Sequence, residues 1–185
     1  MPKLFERMSA ITIHDKTFVP YLTEGEILGR IKELASRLNQ DYAGKRPLFI
    51  AILNGSFMFS ADLFKELTIE AEICFIKLAS YKGTKSTGHV ITAIGLDTDI
   101  TDRHVVILED IIDTGKTISQ LLPQLNNQRP ASLKIAVLLH KPEASVFPIQ
   151  IDYCCFSIPD KFVVGYGLDY DGLGRNLREL YQLKD

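Results

Sequence analysis

The stretch from Val105 to Thr117 constrains this chain more than any other. It reads Val-Val-Ile-Leu-Glu-Asp-Ile-Ile-Asp-Thr-Gly-Lys-Thr. An apolar run ends in two adjacent carboxylates, Glu109 and Asp110. A third, Asp113, leads into Thr114-Gly115-Lys116-Thr117. This order predicts a buried strand over about His104–Leu108, an acidic edge, and a loop that opens a helix. Carboxylates accept hydrogen bonds from sugar hydroxyls or hold a metal, and backbone N–H groups at a helix start hold a phosphate. A sugar phosphate is a ligand that needs both within its own length.

Thr114-Gly115-Lys116-Thr117 also invites comparison with a nucleotide-cradling P-loop. That pattern requires a glycine five positions before its second glycine. Asp110 stands there, and a carboxylate would repel the phosphates, so a Walker A loop is excluded. The turn is instead sized for one phosphate monoester. Asp-Thr-Gly-Lys-Thr alone reads equally well as an ordinary helix start with an Asp or Thr cap. The acid pair upstream tips the balance, because paired acids ending a buried strand are costly without a ligand to organise them.

The rest of the chain supplies an α/β frame. Thr23-Glu24-Gly25-Glu26 is a capping box, followed by apolar residues at helical spacing to about Asp41. Pro47–Leu53 is a near-continuous apolar run, as strands buried on both faces are. Phe57–Leu67 reads as a second helix, and Ile69–Tyr81 contains a long strand. Lys82–His89 is polar and rich in Gly, Ser and Thr, so it reads as a mobile loop before a returning strand at Val90–Leu96. A helix should follow Gly115 until Pro130. Ser132–Leu139 is another apolar strand, with short strands near Ile151–Phe156 and Phe162–Gly165 and a short helix over Asn176–Leu183. Apolar strands alternating with helices predict a mostly parallel sheet. Ligands then bind past the strands' carboxyl ends, where Asn54, Glu109 and Lys141 should converge.

Composition narrows the function classes. A chain of 185 residues fits one domain, here taken as 1–185. Lys and Arg total 21 against 23 acids, for a formal net charge of −2. That balance argues against nucleic acid or an anionic membrane as partner. The three cysteines, Cys74, Cys154 and Cys155, are odd in number and two are adjacent, so they read as packing residues of a reducing compartment. The N-terminus lacks the apolar core of a signal peptide, and no run reaches the roughly 18 residues of a membrane span, so a cytoplasmic location is expected.

The signature stretch resembles that of type I phosphoribosyltransferases, most closely the hypoxanthine and hypoxanthine-guanine branch. The likeness extends along the chain. Ile52–Leu63 resembles the family's pyrophosphate loop and the helix after it. Ser80-Tyr81, opening a polar loop that ends Ser86-Thr87-Gly88, resembles the catalytic flap, about residues 80–90. Ile158–Tyr170, with its Phe-Val-Val-Gly-Tyr core, resembles the base-binding segment. The resemblance implies a twisted sheet flanked by helices, topped by a small hood built from the N- and C-terminal segments, the base-binding part being about residues 155–185.

It also implies roles. Glu109 and Asp110 would hold the ribose hydroxyls, and Asp113, Thr114, Gly115, Lys116 and Thr117 the 5-phosphate. Asp113 would accept the purine N7 proton as well. Leu53, Asn54 and Gly55 would meet the pyrophosphate mainly through backbone, often across a non-proline cis peptide, together with Ser80, Tyr81 and Arg175. Lys141 would donate to a 6-oxo group, Phe162 would stack on the purine, Val163 would read its edge, and Asp169 would complete the pocket. Mg²⁺ would be held by Glu109, Asp110 and Asp169. The implied activity is purine salvage. The phosphoribosyl group passes from 5-phosphoribosyl-1-pyrophosphate to N9 of hypoxanthine, and of guanine, giving IMP or GMP and pyrophosphate. A homodimer or homotetramer is implied too. Two other readings stay open: a xanthine-preferring enzyme, and a regulator of the same fold that senses nucleotide and binds RNA. Two departures stand out. Asn54 occupies a position where some relatives carry lysine, and Asp171-Gly172-Leu173-Gly174 lacks the aromatic residue usual before the arginine and reads as more flexible.

Overall fold

Five apolar runs of the sequence become the parallel strands of one sheet. The computed structural model describes residues 9–81 and 90–184, with residues 79–81 and 90–94 as backbone alone. In chain order the elements are β1 (Ile11–Ile13), β2 (Lys16–Leu22), α1 (Glu24–Asp41), β3 (Leu48–Leu53), α2 (Phe57–Glu66), β4 (Glu72–Tyr81) and β5 (Val90–Ile94). There follow β6 (His104–Ile112), α3 (Lys116–Asn126), β7 (Ser132–His140), a 3-10 turn at Pro142–Ala144, β8 (Tyr153–Ser157), β9 (Val163–Val164) and β10 (Leu180–Leu183).

The main sheet has the order β5-β4-β3-β6-β7-β8. All its pairings are parallel except that of β4 with the edge strand β5. Both faces are covered, which explains the continuous apolar runs. Phe49, Ala51, Val106, Leu108, Ala136 and Leu138 pack with the buried face of α1 and with α2. Leu48, Ile50, Val105, Ile107, Ile135 and Val137 pack with Ile118, Leu121 and Leu125 of α3. Cys155 belongs to the first layer and Cys154 borders the second, so the adjacent cysteines face opposite sides, and all three thiols are free.

The capping box that opens α1 is formed: the Glu26 N–H donates to Thr23 Oγ1 at 3.2 Å, and the Thr23 N–H to Glu26 Oε2 at 2.8 Å. The hood is a second, antiparallel sheet in the order β1-β2-β10-β9. Here the tail departs from expectation. Leu180–Leu183 is a strand rather than a helix, because it is hydrogen-bonded between β2 and β9, and pairing on both sides overrides its local preference. The N-terminal hairpin β1–β2 lies outside the expected elements, although its β-branched and aromatic residues suit strands. It turns at His14-Asp15, with His14 at φ 51°. The helix after the phosphate turn closes at Asn126, four residues short of Pro130, and tolerates Pro123 within it. Among the described residues no helix is long and apolar enough to cross a membrane. The expected flap residues Lys82–His89 lie outside the described residues, and Ser80 and Tyr81 are seen as backbone paired with Ile91 and Val90.

Candidate active site

The carboxyl ends of β3, β6 and β7 meet on one side of the sheet, as the strand assignments required. β6 itself is longer than expected. It runs through the acids to Ile112, because β7 goes on pairing with it at Ile111↔Leu139 and Ile112↔His140 after β3 has ended. Glu109 and Asp110 are therefore strand residues, and alternation sends them to opposite faces. Glu109 borders a small cavity of about 90 Å³ formed with Asp113–Ile118. Asp110 borders a neighbouring cavity of about 230 Å³, lined also by Asp113, Lys141, Phe162, Leu168 and Asp169. The acid pair thus straddles two compartments that share Asp113.

Burial acts strongly on this pair. Glu109 is 8% exposed, and its Oε2 atom has no hydrogen-bond partner. Burial, reinforced by the Asp110 charge, raises its pKa well above the usual carboxylate range. Burial pushes Asp110 up to about 6, against hydrogen bonds from backbone N–H groups and the nearby Arg175 charge. A buried, unpartnered acceptor lowers stability until a donor arrives. Glu109→Gln should therefore stabilise the ligand-free protein. An unfolded glutamate titrates near ~4.3, and the folded value lies above it, so native Glu109 costs stability as pH rises from there through its folded value. The melting temperature of the variant should pull ahead of the unmodified protein's across that range, by roughly 2–4 °C per kcal/mol relieved. Meanwhile the shift induced by sugar phosphate should be lost. Equal melting curves from pH 4 to pH 8 would rule out this account.

The phosphate turn is built by Gly115, which takes the left-handed conformation at φ 80° and begins α3. The Phe147 carbonyl packs so close that a side chain there would crowd it. Val146 and Phe147 N–H groups donate to the Thr114 carbonyl at 3.1 and 3.0 Å, which braces the turn from behind. Asp113 is not the helix cap. Its carboxylate points to the larger cavity and meets the Lys141 ammonium at 3.3 Å. Lys141 follows β7 directly and is 6% exposed, not the solvated surface lysine its type would suggest.

The opposite wall is the segment after β8. Phe162 keeps 44% of its surface exposed at the cavity, although an apolar residue in such a run is usually core. It is backed by Phe18 at 6.1 Å and Tyr170 at 5.8 Å between ring centroids. Val163, by contrast, is buried in β9. Asp169 and Arg175 are brought together: Arg175 donates to Asp169 Oδ1 at 2.6 Å and to the Gly167 carbonyl at 2.7 Å. The stretch Asp171–Gly174 between them is a closed turn rather than a loose one. Tyr170 and Leu173 exchange backbone hydrogen bonds, and Asp169 accepts from the Gly172 N–H at 2.8 Å.

The segment expected to form the pyrophosphate loop sits against both walls. Leu53-Asn54 is a cis peptide, and Ser56 Oγ donates to the Ile52 carbonyl at 2.6 Å. A Cβ on Gly55 would overlap the Asp110 carboxylate, and one on Gly167 would overlap the Gly55 carbonyl. The buried Tyr166 hydroxyl donates to Asp62 of α2, which ties the hood segment to the helix after this loop. Sequence reasoning did not single out Asp62, Tyr166, Gly167 or Asp160. The Gly165-Tyr166-Gly167 spacing was the available signal for two of them. A further cavity, of about 450 Å³, lies at the other end of the sheet. It is a polar groove whose Lys134–Asp152 and Tyr153–Asp41 pairs satisfy one another at 2.7 Å.

A family model described as phosphoribosyl transferase domain matches residues 21–171. The hypoxanthine-guanine phosphoribosyltransferase of Streptococcus pneumoniae is 44% identical over 165 residues, spanning 89% of this chain and 92% of that protein. A crystal structure of a hypoxanthine-guanine phosphoribosyltransferase from Bacillus anthracis superposes with a TM-score of 0.82 at 34% identity, covering 90% of this chain and 97% of the other. A hypoxanthine phosphoribosyltransferase from Staphylococcus aureus gives 0.83 at 41% identity, covering 89% and 90%. Likeness of this extent, in sequence and in backbone alike, places the chain in the hypoxanthine-guanine phosphoribosyltransferase family.

Proposed function

We propose that this protein is a purine salvage enzyme, a hypoxanthine-guanine phosphoribosyltransferase. It transfers the 5-phosphoribosyl group from 5-phosphoribosyl-1-pyrophosphate to N9 of hypoxanthine or guanine, giving IMP or GMP and pyrophosphate. One observation carries the assignment. Asp113 and Lys141 are in contact and line one cavity with Phe162, directly beside a turn sized for a single phosphate.

The residues divide the work by chemistry. N–H groups of the Thr114–Thr117 turn and the start of α3 hold the 5-phosphate. Glu109 and Asp110, acceptors only, take the ribose hydroxyls and favour positive charge developing at C1. Phe162 covers the purine face. The Lys141 ammonium donates to the 6-oxo oxygen, which an adenine amino group could not accept. As the C1–N9 bond forms and the C1–O bond to pyrophosphate breaks, Asp113 takes the proton from N7. Leu53, Asn54 and Gly55 meet the leaving pyrophosphate through backbone, with Arg175 exchanging Asp169 for it. Ser80 and Tyr81 stand at the base of the expected flap, whose closure would keep water from the activated sugar.

The donor set suits Mg²⁺. Asp110 and Asp169 line one cavity, and Glu109, with its unpartnered oxygen, borders the neighbouring one on the other face of β6. Among the described residues no three metal-type side chains converge, so a cation would be shared with substrate oxygens, as magnesium commonly is. Bound there, it would neutralise charge on the leaving pyrophosphate. Purified protein given 5-phosphoribosyl-1-pyrophosphate, Mg²⁺ and hypoxanthine should form IMP at a rate on the order of 10 s⁻¹. Excess EDTA should return it to background. Absence of product from both hypoxanthine and guanine would refute the assignment, and full activity in EDTA would refute the metal.

The same reading takes residues 1–185 as one domain of a cytoplasmic enzyme that assembles as a homodimer or homotetramer. Sedimentation equilibrium reads the assembly directly, and a monomeric mass would contradict it.

A further inference from the structure

Lys141 has two carboxylate partners, not one. Its side chain is only 7% exposed, and Nζ lies 3.3 Å from Asp113 Oδ2 and 3.1 Å from Asp160 Oδ1. The two acids come from separate parts of the chain. Asp113 precedes the phosphate turn. Asp160 sits in the turn Pro159–Lys161 between β8 and β9, closed by the Lys161 N–H donating to the Pro159 carbonyl at 2.8 Å. We infer that Asp160 is a positioning residue, which holds the Lys141 ammonium at the purine cavity and so sets recognition of the 6-oxo group. This role rests on the function proposed above.

The argument is one of donor geometry. An ammonium has three donors. Two of them face carboxylates, and the direction held by Asp113 is the one that a substrate oxygen would take over. A nearly buried ammonium with a single carboxylate in reach closes onto it, because an uncompensated charge there is costly. With Asp113 as sole partner, Lys141 would be drawn away from the 6-oxo position and would occupy the group that must face N7. Asp160 pulls from the other side. When a 6-oxopurine enters, Lys141 exchanges Asp113 for the carbonyl and keeps Asp160. The ammonium is then never without a counter-charge, and Asp113 is released toward the ring. The Asp160 side chain itself is 60% exposed, so replacing it leaves no cavity in the core.

Asp160→Asn keeps the shape and removes the charge. In steady-state kinetics its KM for hypoxanthine should rise roughly tenfold, the scale of one charge-assisted hydrogen bond, with KM for 5-phosphoribosyl-1-pyrophosphate within about twofold. Asp160→Glu should recover most of the loss. In a Lys141→Ala background, Asp160→Asn should add nothing, since it acts through that lysine. An unchanged purine KM, equal rises in both KM values, or independent losses in the double variant would overturn the role. Failure of the unmodified protein to make IMP would overturn the functional reading and this role together. Turnover with an unaffected Asp160→Asn variant would overturn this role alone.

Discussion

Asp113→Asn is expected to lower kcat by roughly 10²-fold or more, the usual range for removing a positioned general base. The dissociation constant for 5-phosphoribosyl-1-pyrophosphate should move by less than about threefold, the change expected if that carboxylate gives the sugar little binding energy. The asymmetry follows from where the carboxylate points. Had Asp113 capped α3, its loss would weaken the phosphate turn and both quantities would fall together. Instead Gly115 begins the helix without a side-chain cap, and Asp113 meets Lys141 at the cavity proposed for the purine. An amide retains the size and one acceptor oxygen but cannot take a proton from N7. Single-turnover rates paired with calorimetric binding of the donor separate the two effects. Equal losses in both would show that Asp113 only holds the sugar phosphate.

The second large effect is expected at a residue with no chemistry of its own. Gly167→Ala should lower the melting temperature by roughly 10 °C. Two costs combine. Gly167 has φ 99°, where a side chain is strained by about 1–3 kcal/mol. Its Cβ would also overlap the Gly55 carbonyl, and overpacking of this kind costs about 1–3 kcal/mol more. For a chain of this size each kcal/mol is worth ~2–4 °C. Gly55 is itself closely packed, with the Asp110 carboxylate occupying the place a side chain would take there. Gly172→Ala is the matched control. It shares the left-handed conformation at φ 85° but opens onto free space, so only the first cost applies. Comparable melting curves for the two variants would show that the close approach to Gly55 does not matter.

Much of this was legible in the residues alone. Apolar runs with helical stretches between them predicted the parallel sheet, and Asn54 and Lys141 do follow strands directly, as expected, whereas Glu109 lies within one. What escaped has a common physical character. The tail Leu180–Leu183 is a strand only because β2 and β9 lie on either side of it, and no local pattern encodes a partner more than a hundred residues away. β6 outruns its apolar segment because β7 goes on pairing with it, so the acids looked like an edge when they are strand residues. Asp171–Gly174 reads as loose from its glycines, yet Asp169 and Leu173 close it. Asp160 carries no signal of its own in the sequence, since a charge in a Pro-Asp-Lys turn is ordinarily solvated. Its partner became visible only once β7 and the hood were side by side.

The backbone path through Tyr166 and Gly167 bears on any attempt to retune nucleobase preference. That path leans on Gly55, in the loop proposed to meet the leaving group, and is moored to α2 through Asp62. Remodelling it to admit a different ring would disturb the grip on the sugar donor at the same stroke. Engineers would do better to vary the side chains that face the ring and leave this main chain where it is.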